Sequence, residues 1–260
     1  MRQESMQVIK HGEIADQIFE MKLQGELVCE ITEPGQFVHI LVDGASHSIA
    51  PLLRRPISIS SANTSEKTMT LIYRGGGLGT GLLSKTAVGQ SVDVLGPLGH
   101  GFPVMEAARG GHALIIGGGV GVPPLYGLSQ ALKEREIKVT HILGFRSAKD
   151  VFYQQAFEEL GQTFIMTEDG TCGLKGRVTD VLGQLDFDIA YACGPLPMLR
   201  ALENQITEKP LYLSLEQRMG CGIGACMACV AHTTDPNDSK GYRRVCSDGP
   251  VFKAREVELC

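Results

Sequence analysis

The chain has no tryptophan, and aromatic residues make up only 6% of its 260 positions. A large planar ligand would therefore be held mainly by aliphatic side chains and backbone. A long apolar run is also missing. The longest stretch without Asp, Glu, Lys or Arg, Gly110 to Leu132, contains seven glycines and the pair Pro123-Pro124. A bilayer helix needs about 20 mainly apolar residues, and this stretch is broken at its centre. A strand, a turn and a helix are expected there, and no membrane association. No dense Lys/Arg run exists, and a net charge of −5 with a pI near 5.8 argues against a nucleic-acid surface. No apolar segment follows Met1-Arg2-Gln3-Glu4-Ser5, so no secretory signal is expected and the reading is cytoplasmic. There is no Ser/His/Asp, Cys/His or paired-carboxylate pattern suited to substrate chemistry. The histidines at 11, 39, 47, 100, 112, 141 and 232 show no metal spacing and read as packing or surface residues.

What remains is ordinary globular composition, 43% apolar and 20% charged, with room for two compact domains and an appendage. Residues 1 to 104 read as short strands: Gln17–Leu23, Gln36–Val42, Pro56–Ser61, Met69–Arg74 and Ser91–Leu95. Gly25, Pro34-Gly35, Asp43-Gly44, Gly75-Gly76-Gly77 and Gly96-Pro97 punctuate them, and Gly79–Thr86 is the one helical candidate. This pattern predicts a small antiparallel β-barrel. From 105 to 210 strands and helices alternate, which predicts a doubly wound α/β domain. Its strands are Ala113–Ile116, Lys138–Gly144, Gln162–Thr167 and Asp188–Ala192. Its helices are Pro123–Arg135, Ala148–Leu160, Arg177–Leu182 and Pro197–Ile206. Residues 211 to 260 form a third, loop-rich unit that opens with a strand, Leu211–Leu215. A metal is expected to be needed for this unit to fold.

The cysteines give that metal its identity. Four of the eight follow the spacing Cys221-x4-Cys226-x2-Cys229-x16-Cys246, the plant-type [2Fe–2S] ligand pattern. Two sulfide-bridged irons need four thiolates, and one loop can supply three only if its backbone wraps the core. Gly220, Gly222 and Gly224 permit that wrap and let amide N–H groups point at sulfur. Ala225, Ala228 and Val230 are expected to exclude water. The alternative is a four-cysteine zinc ribbon, although zinc sites usually pair two short knuckles. Cys29, Cys172 and Cys260 read as packing or surface thiols. Cys193 ends a predicted strand, where α/β sheets bind ligands, and is a candidate on the nicotinamide side.

Two further segments suggest dinucleotides. In Arg54-Arg55-Pro56-Ile57-Ser58-Ile59-Ser60 a guanidinium beside an extended, proline-stiffened strand can clamp a pyrophosphate, and Ser58 can approach a ring edge. Ile72-Tyr73-Arg74 and Gly79-Thr80, the latter at a helix start, could converge on the same ligand. An ordinary edge strand with a surface arginine is the alternative. In the segment from Ile115 to Pro124, Gly117, Gly119 and Gly121 follow a strand and open a helix, the context of a dinucleotide loop. Pro124 replaces the third fingerprint glycine, and a glycine-rich turn without ligand is the alternative. Phe145-Arg146-Ser147 stands where an acidic ribose partner is expected, so NAD and NADP both stay open.

Taken in order, Arg55-Pro56-Ile57-Ser58, the Gly117–Pro124 loop, Cys193-Gly194-Pro195 and the four-cysteine tail resemble the ferredoxin–NADP reductase superfamily. Within it the whole chain is similar to the electron-transfer subunits of B-type dihydroorotate dehydrogenases. Pro51-Leu52-Leu53-Arg54-Arg55-Pro56-Ile57-Ser58, Asp93-Val94-Leu95-Gly96-Pro97-Leu98-Gly99 and Cys221-Gly222-Ile223-Gly224-Ala225-Cys226 carry that likeness. The resemblance implies FAD at Arg55–Ser58, Ile72–Arg74 and Gly79-Thr80, and the cluster on Cys221, Cys226, Cys229 and Cys246. It also implies a catalytic partner that carries FMN and oxidises dihydroorotate to orotate in pyrimidine synthesis. Electrons would run from FMN through [2Fe–2S] and FAD to NAD⁺, in a heterotetramer with two of each subunit. Ile57 stands where the superfamily often has an aromatic residue. The alternatives are another reductase subunit of the superfamily with a different partner, or a non-enzymatic zinc or redox-sensing module.

Overall fold

The computed structural model describes residues 1–42 and 53–259. Asp43-Gly44, His47, Pro51-Leu52 and Cys260 lie outside the described residues. The first six strands are β1 (Arg2–Ala15), β2 (Ile18–Gln24), β3 (Phe37–Leu41), β4 (Arg55–Asn63), β5 (Thr68–Arg74) and β6 (Ser91–Leu98). They close a barrel in the order β1-β2-β5-β4-β3-β6, with every pairing antiparallel. The alternation of side chains along each strand fills the interior. Met6 and Val8, Met21 and Leu23, Val38 and Ile40, Ile57 and Ile59, Met69 and Leu71, and Val92 and Val94 form one core. Strand β1 has no counterpart in the sequence reading. Its run RQESMQVIKHGEIA contributes only Met6 and Val8 to that core, so its apolar signal is too sparse to mark a strand of fourteen residues. A short helix, α1 (Leu78–Leu83), follows β5.

The second layer is a seven-stranded sheet. It is built from β7 (His112–Gly118), α2 (Pro123–Glu134), β8 (Lys138–Phe145), α3 (Gln154–Glu158), β9 (Gln162–Thr167), β10 (Leu174–Lys175), β11 (Ile189–Cys193) and α4 (Leu196–Gln205). Four tail strands follow in the order of the chain: β12 (Leu211–Ser214), the hairpin partners β13 (Val230–His232) and β14 (Tyr242–Arg244), and β15 (Val251–Lys253). The sheet order is β10-β9-β8-β7-β11-β12-β15, parallel except for the edge strand β15. Both faces are covered, as a parallel sheet requires. Leu114, Ile116, Ala190 and Ala192 point into one core, and Ala113, Ile115, Ile189 and Tyr191 into the other. Strand order reverses between β7 and β11, the place where open α/β sheets bind ligands.

Three expectations change. The helix expected over Ala148–Leu160 is a 3₁₀ turn, Ala148–Asp150, followed by the short α3. Tyr153 breaks it with a left-handed backbone (φ 60), and its hydroxyl donates to Glu20 of the barrel at 2.5 Å. The helix expected over Arg177–Leu182 is a 3₁₀ helix, Val178–Gln184. The strand after Pro210 does not stand apart with the cysteines: β12 pairs in parallel with β11, and β15 pairs with β12, so the tail is stitched into the central sheet.

The packing of α2 on the sheet places a titratable group in the core. His141 of β8 is fully buried. Its Nε2 lies 2.8 Å from the Ser129 hydroxyl of α2, and its Nδ1 lies 2.9 Å from the Thr163 hydroxyl of β9. Burial lowers its pKa from 6.5 to about 4. The unfolded chain therefore takes up a proton at a pH where the folded chain does not. Stability must fall as the pH drops from about 6.5 towards 4. We expect urea unfolding midpoints to fall between pH 7 and pH 5 in the wild type, and to fall less in His141→Gln. Equal pH slopes in the two proteins would remove His141 as the source.

Candidate functional site

After β12 the chain enters the cysteine loop. Gly222 and Gly224 have φ of +72° and +77°, a backbone conformation that glycine adopts without strain. A Cβ on either would also strike a neighbour, the His39 ring at Gly222 and the Ser247 side chain at Gly224. The wrap turns amides inward. Gly224 N–H donates to the Cys246 sulfur at 3.2 Å, Ala225 N–H to the Cys221 sulfur at 3.2 Å, and Cys226 N–H to the same sulfur at 3.3 Å. Desolvation opposes ionisation of Cys221, yet hydrogen bonds from the Ile223, Cys226 and Ala225 backbone and from the Cys226 thiol outweigh it and bring the thiol down to about 7. The Arg244 guanidinium braces the loop by donating to the Gly224 carbonyl.

The four thiols fall into two contacting pairs, Cys221 with Cys226 and Cys229 with Cys246. Two irons bridged by sulfide each take two thiolates, which this arrangement matches. Among the described residues, no three His, Cys, Asp or Glu side chains gather around one metal position. Two further polar groups fit an anionic sulfur core. His39 and the Ser247 hydroxyl are buried beside the loop, and neither finds a partner among the described residues. The expected water shield differs from what is observed. Ala225 and Ala228 are exposed and Val230 is half-buried. Shielding instead comes from the core that buries Cys229 and Cys246 with Leu215, Ala231, Val245 and Phe252. Ile223 and Met227 leave an apolar rim, 45% and 56% exposed.

The glycine loop after β7 sits at the strand-order switch. Gly121 passes so close to the end of β11 that a Cβ would collide with the Cys193 carbonyl. Gly119 and Gly121 line a cavity of about 580 Å³. Gly117 does not. A Cβ there would lie 2.8 Å from Val122, so its role is close packing of strand on helix. Cys193 is buried below the cavity, and burial, with the field of Glu216, raises its pKa. Arg74 from the barrel, Arg146, Glu168 and Arg177 from the sheet, and Glu216 from the tail complete the walls. Glu216 was not found in the sequence. The surrounding protein raises its pKa by desolvation. Its position just past β12, beside the end of β11, was the available signal once β12 is placed in the sheet.

On the barrel, the register brings Ser58 opposite Phe37 and Pro56 opposite His39, on the face away from the barrel core. Arg54 and Arg55 differ in role. Arg54 pairs with Asp93 at 2.7 Å and donates to the His39 carbonyl at 3.3 Å. The Arg55 guanidinium instead lies against Gly79 of α1, where a Cβ would collide with it. Thr80 Oγ1 accepts from the Gly77 N–H at 3.2 Å, fixing the start of that helix. Pro56 and Ser58 thus share the outer face, while Arg55, opposite Ile40 in the register, reaches Gly79 from the other side of the strand. The Ile57 side chain turns into the barrel core, Ile72 packs between barrel and sheet, and Tyr73 is buried with its hydroxyl 2.8 Å from His11 Nε2. From these three positions the outer face receives backbone.

Residues 216–258 match the iron-sulfur cluster binding domain of dihydroorotate dehydrogenase B, and residues 115–204 match the oxidoreductase NAD-binding domain. A Bacillus cereus protein named dihydroorotate dehydrogenase B (NAD(+)), electron transfer subunit, is 55% identical over 261 residues, covering 100% of both chains. A Bacillus thuringiensis subsp. konkukian protein of the same name shows the same 55% identity and 100% coverage. Among solved structures, one of the NADH-dependent reduced ferredoxin–NADP oxidoreductase superposes with a TM-score of 0.85 at 28% identity, over 98% of this chain and 90% of that one. With its cysteine pairs, glycine loop and barrel face in the same order along the whole length, the chain belongs to the family of dihydroorotate dehydrogenase B electron transfer subunits.

Proposed function

We propose that this chain relays electrons from an FMN-containing dihydroorotate dehydrogenase catalytic subunit to NAD⁺, through a [2Fe–2S] cluster and FAD, in pyrimidine synthesis. The observation that carries this reading is the pairing of Cys221 with Cys226 and of Cys229 with Cys246, within a chain that also holds a dinucleotide-sized cavity. A bound cluster moves single electrons, a nicotinamide takes two as hydride, and FAD can do both.

The residues divide that work. The four cysteines hold the cluster, and the Gly224, Ala225 and Cys226 amides offset its negative charge. Arg55, at the start of α1, clamps the FAD pyrophosphate, while Pro56, Ser58 and the backbone of Ile57 and Ile72–Arg74 seat the flavin. Gly79 and Thr80 shape the helix start against Arg55. Gly119 and Gly121 bring the backbone close to the NAD pyrophosphate, and Gly117 lets α2 pack near enough to β7. Arg146 alone would welcome a 2′-phosphate. Glu168 lines the same cavity, and its carboxylate repels a phosphate and can accept from ribose hydroxyls, which favours NAD. At the inner end of the cavity burial raises the pKa of both Cys193 and Glu216.

The exposed Ile223 and Met227 flank the cluster loop and suit a protein partner, here the catalytic subunit in an assembly of two of each kind. Among the described residues no helix is long and apolar enough to cross a membrane, and their cysteines are free thiols. Unpaired thiols support a reducing, cytoplasmic setting.

Dihydroorotate-dependent NADH formation by the chain with its co-purified partner tests the proposal. Activity with ferredoxin and none with dihydroorotate would overturn it. Cys226→Ala should lose the cluster absorbance and EPR signal, keep FAD, and lower dihydroorotate–NAD⁺ turnover by at least ~100-fold, since even outer partners of a metal cost 10–100-fold. Flavin lost in proportion would show that the two sites fold as one. Gly121→Ala should raise the KM for NAD⁺ roughly tenfold, ~1.4 kcal/mol, while dihydroorotate still reduces a one-electron dye at the wild-type rate. Unchanged NAD⁺ kinetics would remove Gly121 from the dinucleotide loop.

A further inference from the structure

His39 stands at the seam between the barrel and the cysteine loop. On β3 the neighbours Val38 and Ile40 point into the barrel core, so His39 points out of it, beside Phe37 at a ring separation of 5.7 Å. Its side chain is completely buried. Neither ring nitrogen has a hydrogen-bond partner among the described residues. A Cβ on Gly222 would lie 2.5 Å from its Cε1, 2.7 Å from Nδ1 and 2.8 Å from Nε2, so the imidazole packs directly against the backbone next to Cys221. Glycine at 222 is what allows this approach.

Buried polar groups are rarely left unpaired, because desolvation costs about as much as a lost hydrogen bond. In either protonation state an imidazole carries at least one N–H donor. No described residue satisfies that donor, and the backbone next to Cys221 is what the ring packs against. The sulfur of a cluster held at Cys221 is an anionic acceptor beside that backbone.

We infer that His39 is a positioning and tuning residue of the [2Fe–2S] centre, donating its ring N–H to a cluster sulfur, either the Cys221 thiolate or a bridging sulfide. The inference rests on the reading of Cys221, Cys226, Cys229 and Cys246 as cluster ligands. It adds a contact from the flavin-bearing barrel. A donor to sulfur stabilises the more negative, reduced cluster and raises its potential. Because His39 lies across from Pro56 in the register, the same ring also ties the cluster loop to the strand that carries the proposed flavin face.

The test uses the complete complex with its catalytic partner. Iron and acid-labile sulfide analysis of the wild type comes first, and an empty result overturns the cluster reading itself. With the cluster present, EPR-monitored redox titration should show His39→Leu shifted to lower potential. The expected shift is a tenfold change in the cluster's reduction equilibrium, about 59 mV for one electron. His39→Gln, which keeps an N–H donor, should recover most of it. Pulsed EPR of the reduced wild type labelled with ¹⁵N-histidine should show one nitrogen and one exchangeable proton coupled to the cluster. This measurement stands even if the variants fail to load. An unshifted potential in His39→Leu, or a wild-type spectrum with no coupled histidine, overturns the inference. A shift confined to the flavin potential also overturns it, because it would assign the donor to FAD.

Discussion

The close approach of Gly99 to Gly249 and Pro250 joins the three parts of the molecule. A Cβ on Gly99 would lie 2.6 Å from the Gly249 carbonyl and 2.7 Å from the Pro250 ring, and its φ of +71° suits glycine. Next to it, His100 N–H donates to the Gly249 carbonyl at 2.7 Å, and Leu215 N–H donates to the Pro250 carbonyl at 2.9 Å. One short segment of the tail is thereby fixed to the end of the barrel and to the last residues before the cysteine loop. Strand β15 then continues from it into the central sheet. The consequence is geometric. The loop carrying Cys221, Cys226 and Cys229 is closed at both ends against rigid elements, and it must lie on the barrel at His39.

The joint between barrel and sheet is built differently. Lys149 pairs with Asp16 at 2.8 Å in solvent, where water screens the pair, and Arg74 reaches the buried Asp150 only at 3.9 Å, so neither pair holds the joint firmly. Apolar burial holds the joint. Ile18 and Ile72 of the barrel join the core that contains Val122, Leu125 and Phe152. Gly127 of α2 sits so near the Ser60 carbonyl that a Cβ would come within 2.8 Å. Glu20 adds one buried polar contact. Its desolvation is outweighed by hydrogen bonds from Lys10 and Tyr153, so its pKa is lowered and it stays ionised. The cavity opens beside this joint, which explains why Arg74 of the barrel and Glu216 of the tail share its walls.

The four cysteines of the proposed cluster site stood out in the sequence because ligand chemistry restricts their spacing. Four thiolates around two irons, three from one loop, leave few spacings open. The barrel and the alternating sheet were legible because their strands, β1 apart, carry regular apolar patterns. β1 was hidden for the opposite reason: it pairs with β2 and β6 through its backbone, and most of its side chains face solvent. The break at Tyr153 was hidden because it answers to Glu20, far away in sequence. The same holds for Glu216 and His39. Each matters through a neighbour that only the fold supplies, Cys193 for one and Gly222 for the other. Ala225 and Ala228 show the converse error, since small apolar residues beside a ligand shield it only if something packs over them.

The two ends of the proposed relay differ in the surface they offer, and that difference follows from what each must recognise. The cavity presents Arg74, Arg146, Arg177 and Glu168 around glycine backbone, a set suited to a small, multiply charged dinucleotide that must enter and leave. The cysteine loop presents Ile223 and Met227 at its edge, with Cys221 and Cys226 half-buried behind them. Apolar rims of this kind are covered by protein rather than by small anions. A diffusible acceptor and a fixed protein donor would thus meet the chain at separate places. Between them lies the barrel face of Pro56 and Ser58, with His39 on the adjacent strand touching the cluster side. If the flavin sits on β4 as proposed, its strand lies next to β3, which touches the loop, and the path would stay inside one hydrogen-bonded sheet.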